Sequence, residues 1–204
     1  MGVSLDEIKK LKELTGVGLT DAKKALVEAN GDFDKALKEM REKGLTKAEK
    51  RGEREAREGV IYSYVHDDRI GVLVELNCET SFVARTDEFR TLAKEIAMQI
   101  AAMSPKWVSD KDIPEEEKNR KREELVAAAK SDSKNSKKPA DILDKIIDGQ
   151  MKKYFGELVL LDQAYWRDDS KDINTVVKEA MAKLGENIIV RRFARLELGV
   201  IEDK

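Results

Sequence analysis

Cysteine and histidine are almost absent: among 204 residues there is one of each, Cys78 and His66. A lone cysteine makes no intrachain disulfide, so a reduced, cytoplasmic setting is expected. The shortage also removes the thiolate and imidazole ligands that a structural zinc site needs. No apolar run exceeds five residues, even counting Gly71 within Ile70–Val74, whereas a membrane-spanning helix takes ~20. The opening Met1-Gly2-Val3-Ser4-Leu5-Asp6-Glu7 has no basic segment leading into an apolar one, so neither a secretory leader nor a membrane role is expected. Charge of one sign is lacking too. Lys and Arg number 39 against 41 Asp and Glu, a net charge of −2, which argues against a general polyanion binder.

What remains is rich in both charge and apolar side chains. Charged residues make up 39% of the chain, against ~25% in an ordinary globular protein. The hydrophobic share of 41% suffices for a core, so wholesale disorder is excluded. With three prolines and 5% aromatics, long solvated helices are expected. The length suits two domains, at ~150 residues each as a soft prior.

Residues 1–45 read as a three-helix head. Ser4 and Glu7 form a capping box, and Leu5, Ile8, Leu11 and Leu14 recur at helical spacing. Gly16 and Gly18 end that helix, and Thr20 is the expected N-cap of the next. Ala22, Ala25, Leu26 and Ala29 form its small-residue face before Asn30-Gly31 stops it. Asp32 opens a third helix carrying Phe33, Ala36, Leu37 and Met40, with a stop expected at Gly44. Residues 46–58 are charged and carry no sustained apolar stripe, and are expected to be an exposed, partly helical connector.

Residues 59–204 read as an α+β core with a small antiparallel sheet. The period switches to two in Val60-Ile61-Tyr62-Ser63-Tyr64-Val65, His66-Asp67-Asp68-Arg69 supplies a turn, and Ile70 to Leu76 returns as a second strand. Thr86 is expected to cap a helix burying Phe89, Leu92, Ala93, Ile96, Ala97 and Ile100. Pro114 suits the first position of another, reaching Ala129. A polar loop at 130–139 precedes a helix from Ile142 to Phe155, with a possible break at Gly149. A short strand is expected at Leu158 to Leu161, then a helix from Ile173 to Leu184 and a last strand from Ile188 to Leu198. Helices grouped between hairpin-linked strands define α+β and not a doubly wound sheet.

The chain offers no catalytic constellation. Gly16-Val17-Gly18 follows a helix instead of a strand and lacks a third glycine, so it reads as a helix-linking turn and not a dinucleotide site; no phosphate-loop motif occurs anywhere. Cys78 and His66 are separated by a strand's length, ~20 Å, too far for a thiol–base pair. Asp67-Asp68 and Asp168-Asp169 read as turn formers. Lys118 to Arg122 are interleaved with glutamates, which reads as a solvated helix face. Arg191, Arg192 and Arg195 stand out in an otherwise buried-looking strand. The loop Asn77 to Arg85 places Phe82-Val83 between a strand and a helix; Phe82 either tucks under that helix as a staple or anchors a partner protein.

Two long stretches, residues 14–26 (LTGVGLTDAKKAL) and 75–85 (ELNCETSFVAR), closely resemble the two signature regions of the bacterial elongation factor Ts family. The stretch Gly185-Glu186-Asn187-Ile188-Ile189-Val190-Arg191-Arg192-Phe193 is similar to a third. The resemblance runs over essentially the whole chain and matches the family's short form. It implies no enzyme and no cofactor, but a guanine-nucleotide exchange factor for the GTPase elongation factor Tu. The head, ubiquitin-associated-like by this resemblance, would dock through Gly16, Val17, Gly18, Leu19, Thr20 and Asp21. Thr80, Ser81, Phe82 and Val83 would act as a wedge that dislodges the partner's magnesium ion, and the short form implies a homodimer. The family motif reads Thr-Asp-Phe-Val where this chain has Thr80-Ser81-Phe82-Val83, so an acidic role at position 81 does not carry over. No direct nucleic-acid contact is expected. An RNA- or tRNA-binding module using the three arginines, or another adaptor, is the alternative.

Overall fold

The computed structural model describes residues 3–15, 17–131 and 139–200, apart from the side chains of residues 41, 45–50 and 140. In chain order the elements are α1 (Leu5–Thr15), α2 (Leu19–Glu28), α3 (Phe33–Arg51), β1 (Glu58–His66), β2 (Ile70–Cys78), α4 (Ser81–Ala84), α5 (Asp87–Met103), α6 (Glu115–Ser131), α7 (Ala140–Leu158), β3 (Ala164–Tyr165), β4 (Asp168–Asp172), α8 (Ile173–Leu184) and β5 (Ile189–Glu197). They divide into two compact units, Met1–Met98 with Asn174–Lys204, and Gln99–Ile173. The architecture is α+β, with an N-terminal helical bundle and small antiparallel sheets. Among the described residues no helix is long and apolar enough to cross a membrane.

In the first unit, α1, α2 and α3 pack against one another around Ile8, Leu11, Ala22, Ala25, Leu26, Ala29 and Ala36. The Ser4–Glu7 capping box forms, with both reciprocal bonds at 3.1 Å. Asn30 and Gly31 both take the left-handed conformation, and Gly31 N–H closes α2 on the Leu26 carbonyl at 2.8 Å. Helix α2 starts two residues earlier than an N-cap at Thr20 would place it. Gly18 is its N-cap, a residue that costs only a few tenths of a kcal/mol relative to serine or threonine there.

Helix α3 does not stop at Gly44; it continues to Arg51. A Cβ at Gly44 would lie 3.3 Å from the Ala182 Cβ, so glycine there lets α3 approach α8 closely. The helix runs through this glycine despite its ~1 kcal/mol helix penalty. Arg51 then donates to the Met181 carbonyl at 3.3 Å, fastening the end of α3 to α8.

The sheet has strand order β1-β2-β5, antiparallel throughout. Asp67 and Asp68 both have positive φ, Arg69 N–H bonds the His66 carbonyl at 2.9 Å, and His66 pairs with Ile70, so the three residues Asp67–Arg69 join the strands. Val72, Val74 and Leu76 point to the buried face. The rows Ile61–Glu75–Arg192, Ser63–Leu73–Ala194 and Val65–Gly71–Leu196 make the opposite face. There Ile61 is 70% and Leu196 74% exposed, with Val65 and Leu73 also open. Gly59 (φ +146) is required by close approach, since any Cβ would run into the Leu76 carbonyl oxygen.

In the second unit α6 and α7 pack together, and Arg122 bridges to Asp148 at 2.7 Å and Asp144 at 3.8 Å. Pro114 is the residue before α6, not its first: Lys118 N–H bonds the Pro114 carbonyl. Helix α7 passes Gly149 unbroken because its stripe of Ile147, Met151 and Phe155 continues across it. Most of the expected polar loop, residues 132–138, lies outside the described residues. Leu158–Leu161 is not a strand. Leu158 ends α7, Leu160–Asp162 is a 3-10 turn, and only Val159 pairs, with Trp107; four apolar residues cannot distinguish a strand from a buried turn by period alone. Asp168 and Asp169 lie in strand β4 instead of a turn. The β3–β4 hairpin is fastened by buried Gln99, which donates to the Ala164 carbonyl and accepts from Trp166 N–H.

Candidate partner-docking site

Strand β2 ends in three buried residues, Leu76, Asn77 and Cys78. Asn77 is held at both ends of its amide: Nδ2 donates to the Glu58 carbonyl at 3.1 Å and Oδ1 accepts from Arg191 Nε at 3.2 Å. The Cys78 thiol donates to the Thr80 carbonyl at 3.2 Å. Burial first, and the Glu186 charge second, push its pKa up to about 11, which leaves negligible thiolate at neutral pH. His66 pairs with Ile70 and Cys78 with Glu58, at opposite ends of the hairpin. Cys78 is therefore a packing residue.

Beyond Cys78 the chain is held from a distant segment. The Glu186 carboxylate, in the turn between α8 and β5, accepts from Glu79 N–H and Thr80 N–H, each at 3.0 Å, and from the Thr80 hydroxyl at 2.6 Å. Glu79 reciprocates: its Oε1 accepts from Asn187 N–H at 2.6 Å and lies 3.5 Å from Arg54 Nη1. Asn187, 1% exposed, donates its side-chain amide to the Gly52 and Arg54 carbonyls at 3.3 and 2.6 Å. One junction thus fixes residues 52–54, the end of β2 and the start of β5.

From this base rises α4. Sequence reasoning left Phe82 and Val83 in a loop; they lie in a single helical turn, Ser81–Ala84. Thr80 supplies the cap, its Oγ1 accepting from Val83 N–H at 3.4 Å. Ala84 is buried, and α4 packs on β1 and β2. Thr86 then caps α5 as expected, accepting from Phe89 N–H at 3.3 Å. Phe82 is 83% exposed, so it is not a staple under α5. Thr80 is exposed, while Ser81 and Val83 are half-buried.

The second set of expected site residues belongs to the head. Val17 packs partly against the head's core, whereas Gly18, Leu19, Thr20 and Asp21 are exposed. Gly16 lies outside the described residues. The arginines of β5 are engaged within the fold. Arg191 holds Asn77 and the Ala56 carbonyl, Arg192 pairs with Glu75 at 2.7 Å, and Arg195 with Glu197 at 2.8 Å. Sequence reasoning assigned no role to Glu79, Glu186 or Asn187. The available signal was a polar pair, Glu186-Asn187, set directly before an apolar strand.

An apolar ring left in solvent on a turn braced by half-buried carboxylates is a candidate contact for another macromolecule. A family model described as "Elongation factor TS" matches residues 6–200. The chain is 50% identical over 198 residues to elongation factor Ts of Caldanaerobacter subterraneus subsp. tengcongensis, covering 97% of each chain. It is 47% identical over 204 residues to that of Thermodesulfovibrio yellowstonii, covering 100% of both. To that of Fervidobacterium nodosum it is 48% identical over 204 residues, covering 98% of this chain and 100% of the relative. The chain belongs to the elongation factor Ts family, and with that membership it is a guanine-nucleotide exchange factor for elongation factor Tu, not an enzyme.

Proposed function

We propose that exchange works by two contacts on the GTPase, a docking contact through the head and a wedge contact through Phe82. The observation that carries this reading is the 83% exposure of Phe82 on a turn braced by Glu186. Inserting that ring on the partner buries apolar area worth ~25 cal/mol per Å², which offsets disturbed packing beside the nucleotide site. Thr80, Ser81, Phe82 and Val83 form the wedge that displaces the partner's magnesium ion. Ser81 contributes only uncharged hydrogen bonding. Because the factor weakens GDP binding, GDP weakens the factor's binding by the same ratio. The conformation the factor binds best is one that has lost phosphate and metal contacts.

The head, which we read as a ubiquitin-associated-like domain spanning residues 1 to about 45, docks through Val17, Gly18 and the first residues of α2, Leu19, Thr20 and Asp21, on the nucleotide-binding domain of the partner. The chain works in the cytoplasm as a homodimer. The open sheet face supports the second point, since Ile61, Val65, Leu73 and Leu196 leave an apolar patch that a second copy would cover. The internal partners of Arg191, Arg192 and Arg195 favour a protein partner over RNA. GDP release from elongation factor Tu, measured with the full chain and with Leu19→Ala and Asp21→Ala, both exposed at the start of α2, tests the reading: the double variant should raise the concentration needed for half-maximal rate, and unchanged kinetics would remove the docking role.

A further inference from the structure

A four-residue helix does not hold itself together, because nucleation fixes several dihedrals for one hydrogen bond. The geometry of α4 therefore comes from its anchors. One is Ala84, buried at the C-terminal end. The other is Glu186. Its Oε2 takes the N–H groups of both Glu79 and Thr80, and its Oε1 takes the Thr80 hydroxyl. Committing that hydroxyl proton to a carboxylate turns the oxygen's lone pairs toward Val83 N–H, the bond that caps the turn. Charge-assisted bonds of this kind are roughly twice as strong as neutral ones.

The Glu186 side is itself rigidly placed. Gly185, at φ +79, ends α8 with its N–H on the Met181 carbonyl at 3.0 Å. Asn187 is pinned from the other side by Glu79, and Ile188 is buried. Phe82 projects between the two anchors with its ring in solvent, so its position is inherited from them.

We infer that Glu186 is the positioning residue of the Phe82 wedge, acting through Thr80 to hold α4 in the orientation that nucleotide exchange requires. This rests on the wedge reading of Phe82, and the test separates the two. GDP release from elongation factor Tu is measured for the full chain, Phe82→Ala, Glu186→Ala and the double variant, at several chain concentrations, with thermal midpoints recorded alongside. Glu186→Ala slows release at saturating chain by about tenfold, the order expected on losing charge-assisted bonds, while the half-saturating concentration moves little. The double variant is no slower than Phe82→Ala, because an unheld wedge and a missing one are equivalent. Glu186→Gln, which keeps one acceptor oxygen and is the variant to read should Glu186→Ala fail to fold, slows release about threefold, and this loss also vanishes in the Phe82→Ala background. Wild-type release by the Glu186 variants beside a slow Phe82→Ala overturns the positioning role and leaves the wedge standing. So does a double variant slowed by the product of the single effects. Wild-type release by Phe82→Ala overturns the wedge, and the role of Glu186 with it.

Discussion

Thr80 gives both of its donors, the backbone N–H at 3.0 Å and the hydroxyl at 2.6 Å, to the carboxylate of Glu186, 106 residues further along the chain. The turn that presents Phe82 is thereby tied to the turn that starts β5. Asn187 extends the tie to the segment leading out of the head. The segment that leads out of the head, the Phe82 turn and the C-terminal strand meet at a few polar side chains.

Asn187→Ala should destabilise the chain by about 1–3 kcal/mol, the cost of breaking buried hydrogen bonds. It should also expose the 52–57 segment. Differential scanning calorimetry and limited trypsin digestion check this: a lower midpoint and new cleavage after Arg54 or Arg57 are expected. An unchanged midpoint and digestion pattern would show that the amide is not holding the segment.

Charge placed on the open sheet face should disrupt self-association. Val65→Lys and Leu196→Lys lie in one row across the sheet, either side of Gly71, and both side chains are already exposed. Folding should therefore be preserved while a dimer is lost. Analytical ultracentrifugation at micromolar concentration should find the parent chain dimeric and the double variant monomeric. A monomeric parent with full exchange activity would exclude the dimer.

Asp162 offers a pH test of the second unit. Burial, then the Asp110 and Asp172 charges, raise its carboxyl above the ordinary 3.8, with Lys152 opposing. A carboxyl raised in the fold makes the ionised native state less stable at neutral pH, and the penalty disappears as pH falls through the folded value toward the unfolded one. Asp162 is exposed, so solvent screens much of this repulsion, and Asp162→Asn should raise the thermal midpoint at pH 7 by no more than about a degree. That gain should shrink to nothing near the ordinary carboxylate range. A gain that grows on acidification would contradict the assignment.

Elements set by local signals were legible in the sequence. The Ser4–Glu7 box, the Asn30-Gly31 stop, the Asp67-Asp68 turn and the Thr86 cap all depend on residues within a few positions, and each forms. Where a distant partner decides, local reading fell short. Gly44 lies inside α3, where its missing Cβ leaves room for Ala182. The Val159 bridge depends on Trp107, and the β3–β4 hairpin depends on Gln99. For the site, the motif around Phe82 was legible, but the carboxylate that braces it was not, since no periodicity couples Thr80 to Glu186. Nor did composition decide whether Phe82 tucks under α5; its exposure rules the staple out.

The central claim is that Phe82 serves exchange and not folding. Ser81→Asp, which restores the carboxylate of the family motif, should hold or raise the exchange rate if that position faces the partner's metal. The most direct measurement is GDP release from elongation factor Tu with Phe82→Ala, beside its thermal midpoint. Release slowed about tenfold or more is expected, with a midpoint nearly that of the parent. A protein destabilised by ~3–5 kcal/mol, as for truncation of a buried Phe, yet promoting GDP release at the parent rate while folded, would contradict it.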